Sequence, residues 1–376
     1  MLRVLHIAKF YPPAHGGMER VVEMLCRATS GLVENHVLAM HTESSTVEEH
    51  VDGVHVVRVG TIGAAGSVHI APAMARWMRR TPADLMIFHE PNPWALLSWQ
   101  LARPRVPLLL WYHSDVVRPA LQYSLFYAPL ARPVYRAARN IIVSSPPLGE
   151  RAAVLRDYRE RIRVVPFAID PDLWRADARQ LERASAEVED RGGAFVLFVG
   201  RHVPYKGVDV LLQALAGTSI RCVIAGDGPK RRDWQRLAAS LGLEGRVTFT
   251  GDVSPDRLTT LMHAATALVL PSTTRAEAFG YVQLEAMAAG KPVIATDVPS
   301  GVSWVTQNGR TGVIVPAGNA DRLRAAMQDL LANQARAASL GAEGRRRVED
   351  EFTMDRLRQR LRGLFQEAVP AGEWGR

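Results

Sequence analysis

Arg275-Ala276-Glu277-Ala278-Phe279-Gly280-Tyr281-Val282-Gln283-Leu284-Glu285-Ala286-Met287-Ala288-Ala289-Gly290 is the stretch on which the reading of this chain turns. The apolar run Ala267–Leu270 ahead of it predicts a strand, which Pro271 and a polar loop terminate. A helix is predicted to begin near Gly280 and to stop at Gly290, a residue suited to the left-handed position after a helix end. The backbone N–H groups of Phe279, Gly280 and Tyr281 would open that helix and form an anion site of the kind that holds phosphates. Two carboxylates at such a place repel a phosphate alone, but they suit hydroxyls on either side of one. Glu277, ahead of the helix, has the reach for a sugar ring, and Glu285, over one turn in, for a ribose. On spacing alone, the pair reads as a loop acid and a solvated helix residue.

The same strand–loop–helix unit recurs on both sides of this stretch. Phe195–Val199, Cys222–Ala225, Val247–Thr250, Val293–Ala295 and Val313–Val315 are strand candidates around it. An earlier series comprises Val4–Ala8, His36–His41, Val54–Val59, Leu85–His89, Leu108–His113 and Ile141–Ser144. These are continuous apolar runs with helical segments between most of them, which predicts parallel sheets covered on both faces. A charged, Ala-rich segment ending in Gly192-Gly193 separates the series. The expected division is therefore a first doubly wound domain over 1–169, a linker with a helix over 170–193, and a second such domain over 194–354. The last segment, 355–376, carries Leu357, Leu361, Leu364 and Phe365 on one stripe and is expected to pack back on the first domain. Two such sheets in tandem are expected to place a cleft between their carboxyl edges, where open α/β sheets bind ligands.

Three further elements bear on chemistry. Gly200-Arg201-His202-Val203-Pro204-Tyr205-Lys206-Gly207 follows the first strand of the second series, and Arg201 and Lys206 bracket a turn from which both heads can converge on a diphosphate. Read alone, in a chain full of Arg, they are two solvated bases. Pro12-Pro13-Ala14-His15-Gly16-Gly17 enters the first helix, either as a tight turn or as a place where backbone approaches a ligand. His113, in Trp111-Tyr112-His113-Ser114-Asp115, stands where a strand ends, either as a structural histidine or as a site residue. Two other patterns carry less. Gly226-Asp227-Gly228-Pro229 lacks the third glycine of a dinucleotide loop, which disfavours a dehydrogenase. Asp170-Pro171-Asp172 is read as a turn and not as a metal-binding pair.

Composition sets the frame for these motifs. The 376 residues are 47% hydrophobic and 22% charged, a globular balance with room for two domains. No run of about 20 apolar residues occurs, so no spanning helix is predicted, and Met1-Leu2-Arg3-Val4-Leu5-His6-Ile7 is better read as a buried first strand than as an export signal. Cys26 and Cys222 alone suggest neither disulfides nor a zinc site, and a cytoplasmic setting is expected. The net charge of +8 calls for an acidic partner. Scattered basic residues without a reading motif argue against nucleic acid. Lysine is found only at Lys9, Lys206, Lys230 and Lys291, which singles out Lys206.

With its flanks Ala278-Phe279-Gly280 and Ala286-Met287-Ala288-Ala289-Gly290-Lys291-Pro292-Val293, the Glu277–Glu285 stretch closely resembles the Glu-x7-Glu signature of the retaining glycosyltransferases of family 4. Ala278 stands where that family frequently has glycine. The resemblance implies the GT-B fold, two Rossmann-like α/β domains facing across a cleft, and a nucleotide sugar as donor with neither metal nor cofactor. It implies that Arg201 and Lys206 neutralise the donor's phosphates, that Gly17 lies beside them, and that His113 stands at the sugar end, where it supports positive charge at the anomeric carbon. Glu277 is then the sugar-side acid. Phe279, Gly280, Tyr281 and Glu285 hold the nucleotide sugar, and backbone near Val253 contacts the base.

Phe88-His89-Glu90-Pro91-Asn92-Pro93-Trp94 and Trp111 to Arg118 are similar to bacterial O-antigen mannosyl- and rhamnosyltransferases. That similarity implies a GDP-linked mannose or D-rhamnose donor and a glycan or polyprenyl-diphosphate-linked acceptor. A UDP-sugar donor and a non-catalytic donor-binding scaffold subunit are the alternatives left open. The segment 118–139, with Tyr123, Phe126, Tyr127, Leu130 and Val134 near helical spacing beside Arg132, Arg136 and Arg139, suits either an anionic membrane surface on the inner face or a core-packed helix with a basic outer side.

Overall fold

The computed structural model of the chain describes residues 1–14, 16–66, 68–114 and 127–369. It divides into two compact units, one formed by Met1–Phe167 with the helix Met354–Ala368, the other by Ala168–Thr353.

In the first unit the strands are β1 (Arg3–Ile7), β2 (Glu34–Met40), β3 (Val47–Val51), β4 (Val54–Val59), a small β5–β6 hairpin (Gly63–Ala65, Val68–Ile70), β7 (Leu85–Glu90), β8 (Leu108–Tyr112), β9 (Asn140–Val143) and β10 (Ile162–Val164). The main sheet runs β10-β9-β8-β7-β1-β2-β4-β3. It is parallel except for β3, which pairs antiparallel with β4. All six residues of β7 and all five of β8 are buried, the signature of strands covered on both faces. Strand β3, Val-Glu-Glu-His-Val, is charged and mostly exposed, as suits an edge. The strand order reverses between β1 and β7, the kind of position at which open α/β sheets bind ligands.

The closing helix Met354–Ala368 turns Leu357, Leu361, Leu364 and Phe365 inward. It is tied to the first unit by Asn140 Nδ2, which donates to Glu367 Oε1 at 3.1 Å, and by Arg358, which donates to the Ser30 carbonyl at 2.9 Å.

The second unit has β11 (Phe195–Val199), β12 (Arg221–Ala225), β13 (Val247–Gly251), β14 (Ala267–Leu270), β15 (Val293–Asp297) and β16 (Gly312–Pro316). They form a wholly parallel sheet in the order β13-β12-β11-β14-β15-β16, with its reversal between β11 and β14.

The expected linker over 170–193 belongs to this unit instead. Asp170 accepts from the Asp172 N–H and closes a turn. Asp177 and Gln180 then form a capping box that starts a helix over Ala178–Asp190. Its Glu187 is buried and pairs with Arg257 of the helix Pro255–Ala264 at 2.6 Å, and Arg183 pairs with Asp256 at 2.9 Å. Part of the segment's charge is thus used in helix–helix pairing.

Candidate active site

Two loops meet at the reversal point of the second sheet. One follows β11 and spans Gly200–Gly207; the other follows β14 and spans Pro271–Gly280. Thr273 N donates to the Tyr205 carbonyl at 2.8 Å and closes one loop onto the other. Gly207, at φ +67°, lies so close to the Pro271 backbone that a Cβ there would sit 2.0 Å from its carbonyl oxygen.

The result is a contact between two residues far apart in sequence, with Lys206 Nζ 2.6 Å from Glu277 Oε2. Ser272 Oγ donates to the same carboxylate oxygen at 3.0 Å. Glu277 and Glu285 are both buried. Burial alone would lower the Lys206 ammonium pKa. The facing Glu277 carboxylate, with smaller contributions from Tyr205 and Glu285, outweighs it, so Lys206 titrates above its ordinary value and stays charged.

The helix begins at Val282 and ends at Ala288, slightly later than expected. Gln283 pins its start, donating to the Phe279 carbonyl at 2.7 Å and accepting from Thr306 Oγ1 at 2.6 Å. Gly290 takes φ +72°, with the Lys291 N–H on the Ala286 carbonyl at 2.8 Å, a left-handed helix stop. Phe279 is buried, and Tyr281 donates its hydroxyl to the Ala168 carbonyl at 2.7 Å. Gly280, at φ +71°, has no room for a Cβ, which would stand 2.6 Å from Leu270 Cδ2. Arg201 shares the first loop but is exposed and makes no ion pair among the described residues. Val253 follows β13, two strands from the reversal point.

In the first unit Gly17 opens the helix Gly17–Ala28 in the loop after β1. A Cβ on Gly16 would lie 2.1 Å from Glu19 Oε2, whereas one on Gly17 would meet nothing within 4 Å. His15 and residues 115–126 lie outside the described residues. His113 follows β8 and ends a buried file of imidazoles. His113 Nε2 lies 2.9 Å from His89 Nδ1, and His89 Nε2 lies 3.1 Å from His6 Nδ1. Trp111 stacks on both His89 and His113.

Sequence reasoning missed His6, His89, Ser272 and Glu90. Glu90 is fully buried, accepts from the hydroxyls of Tyr127 and Tyr135, and is pushed by burial up to about 7. The available signal was a polar residue in β1 and two at the end of the apolar strand β7, with none for Ser272 in its polar loop; which strands are neighbours was not readable.

The helix Ala128–Ala137 buries Ala128, Ala131, Val134 and Tyr135, and Tyr127 ahead of it is buried too. Over 127–139 the apolar stripe therefore faces the core, as in the second of the two expected readings, and leaves Arg132, Arg136 and Arg139 outside. No helix among the described residues is long and apolar enough to cross a membrane.

Comparison with known proteins gives two family matches, glycosyl transferases group 1 over residues 180–347 and glycosyltransferase family 4 over 15–173. The chain is 33% identical to the D-rhamnosyltransferase WbpZ of Pseudomonas aeruginosa, over 94% of this chain and 92% of that protein. It is 28% identical to the O-antigen chain mannosyltransferase C of Escherichia coli, over 95% and 96% respectively. A GDP-mannose-dependent alpha-(1-6)-phosphatidylinositol monomannoside mannosyltransferase of Mycobacterium tuberculosis is 34% identical over 96% of this chain and 97% of its own length. Among solved structures, sucrose-phosphate synthase from Thermosynechococcus elongatus matches with a TM-score of 0.78 at 24% identity, covering 98% of this chain and 99% of that one. WaaG, a glycosyltransferase involved in lipopolysaccharide biosynthesis, matches at 0.73 with 17% identity, covering 99% and 100%.

Proposed function

The chain belongs to the group 1 and family 4 glycosyl transferases with the GT-B fold, and on that premise we propose that it moves mannose or D-rhamnose from a GDP-sugar to a glycan or polyprenyl-diphosphate-linked acceptor in O-antigen-type synthesis. Transfer retains the anomeric configuration and uses no metal. The observation that carries this reading is the buried Lys206–Glu277 contact at the reversal point of the second sheet.

Cleavage of the sugar–phosphate bond leaves negative charge on the nucleoside diphosphate, and stabilising that charge is the main electrostatic task. Lys206, kept cationic by Glu277, and the exposed fork of Arg201 serve it in place of a divalent ion. Glu277 accepts from a sugar hydroxyl with its remaining lone pairs, and Glu285 from the ribose. Gly17, Phe279, Gly280, Tyr281 and Val253 supply backbone and walls for the nucleotide sugar. His113 orients the sugar and supports the charge that develops at its anomeric carbon. The acceptor attacks on the face the diphosphate leaves, and the departing phosphate oxygen takes its proton, so no protein nucleophile is required. Arg132 and Arg136 are available to an anionic surface as charges only.

The donor is tested by mixing the protein with a panel of nucleotide sugars and measuring its melting temperature. A rise with GDP-mannose or GDP-rhamnose and none with UDP-sugars is expected. A response to a UDP-sugar alone overturns the donor assignment, and binding without turnover makes the chain a scaffold subunit.

A further inference from the structure

We infer that Asn35, His6 and His89 are positioning residues that fix the tautomer of His113, so that its outward nitrogen Nδ1 is always a bare lone pair. Asn35 lies beyond the inner end of the imidazole file, and its amide can be oriented without ambiguity. Its Nδ2 is 3.2 Å from the Cys26 carbonyl and 3.0 Å from Thr29 Oγ1. A carbonyl can only accept, so the amide nitrogen must face it and Oδ1 must face the other way. Oδ1 is 3.3 Å from His6 Nε2, so that nitrogen carries the proton.

The rest follows by valence. A neutral imidazole has one N–H and one lone pair. With Nε2 of His6 protonated, its Nδ1 is bare and must receive from His89 Nε2 at 3.1 Å. His89 Nδ1 is then bare and receives from His113 Nε2 at 2.9 Å. Polarity therefore runs one way, from a backbone carbonyl in the first helix, across β1 and β7, to the residue after β8.

All three rings are buried, and burial holds them neutral, His6 at about 4, His113 at about 3 and His89 well below its ordinary value. No second polarity arises by charging one ring. The file also cannot conduct a proton away from the site, because its inner terminus is an amide oxygen that does not take one. It is a lock and not a wire. Nδ1 of His113 makes no hydrogen bond among the described residues, so it accepts a hydroxyl hydrogen from a ligand and rejects an ionised phosphate, which brings no hydrogen. The inference rests on the reading of His113 as a site residue only for its effect on catalysis.

The test uses the full chain with 15N-labelled histidine and two-bond 1H–15N correlation spectra, with His113 assigned by its loss in His113→Asn. The expected spectrum shows His113 protonated on Nε2 and bare on Nδ1. His89→Leu and Asn35→Leu are expected to mix the two forms, and His89→Gln, whose amide both donates and accepts, to restore one. Turnover of the donor selected by the melting-temperature panel should fall about ten- to hundredfold in His89→Leu, with KM little changed, and return to near wild type in His89→Gln. His113 protonated on Nδ1 in the wild type, or a tautomer indifferent to both leucine variants, overturns the inference. Full turnover by His113→Ala, with the expected tautomer observed in the wild type, would instead refute the site reading alone.

Discussion

Lys206 and Glu277 carry the account at the scale of single residues. Their side chains are 12% and 9% exposed, so each is largely cut off from solvent and depends on the other. Lys206→Ala leaves a buried carboxylate without its counter-ion, a change that costs about 3 kcal/mol. The double variant Lys206→Ala with Glu277→Ala should lose clearly less than the sum of the two single variants, which chemical denaturation of the four proteins measures. Strict additivity would mean that the contact is not an energetic one.

Both residues were legible beforehand only through their flanks, Glu277 in the stretch up to Val293 and Lys206 in the turn after Gly200, where they match the family pattern. Their contact was not, because it depends on β11 and β14 being neighbours. Ser272 was hidden for a different reason, because it shares a loop with Glu277 and only the path of that loop brings the two together. Its hydroxyl is ordinary in a polar loop until the fold sets it 3.0 Å from Glu277.

At the scale of elements, glycines separate structure from function. Gly207→Ala forces a Cβ into the Pro271 carbonyl and an unfavourable φ, and is expected to destabilise by more than about 2 kcal/mol and to abolish turnover. Gly17→Ala meets no atom within 4 Å among the described residues, so stability should change by less than about 0.5 kcal/mol while donor affinity falls. An unchanged affinity, measured by titration of the donor, would return Gly17 to the role of a plain turn residue.

The buried groups of β1, β7 and the turn after β8 set opposing pH responses. His6, His89 and His113 are held neutral, so the unfolded chain binds more protons, and their contribution is lost as pH falls from about 6.5 through about 4. Glu90, raised to about 7, contributes fully below about 4.5 and loses its contribution as pH rises to about 7. Glu90→Gln removes the opposing slope, so its melting temperature should drop more steeply than that of the wild type between pH 6.5 and 4.5. Parallel curves would contradict the placement of Glu90.

Most strands were readable as apolar runs, and Gly290 as a helix stop. Strand β3 was missed because its residues are charged. The signal for it was Asp52-Gly53, whose positive φ values of 50° and 80° make the two-residue turn of a hairpin. Segment 170–193 contains the expected helix, but its place in the second unit was not readable because it pairs with a helix that sequence order does not place beside it.

For the whole molecule, each unit is a doubly wound sheet, which is why continuous apolar runs separated by helical segments disclosed the fold, and the Lys206–Glu277 contact lies at the strand reversal of the second unit. The reaction follows from chemistry concentrated in a few loops. On the proposed function, Lys206 does for the leaving diphosphate what a metal does elsewhere. The most direct measurement is turnover of the selected GDP-sugar by the wild type and by Lys206→Ala, both in excess chelator. Undiminished wild-type turnover is predicted, with a loss of at least about a hundredfold in the variant and a smaller change in donor binding. Abolition of wild-type turnover by the chelator, or near-normal turnover by Lys206→Ala, would contradict it.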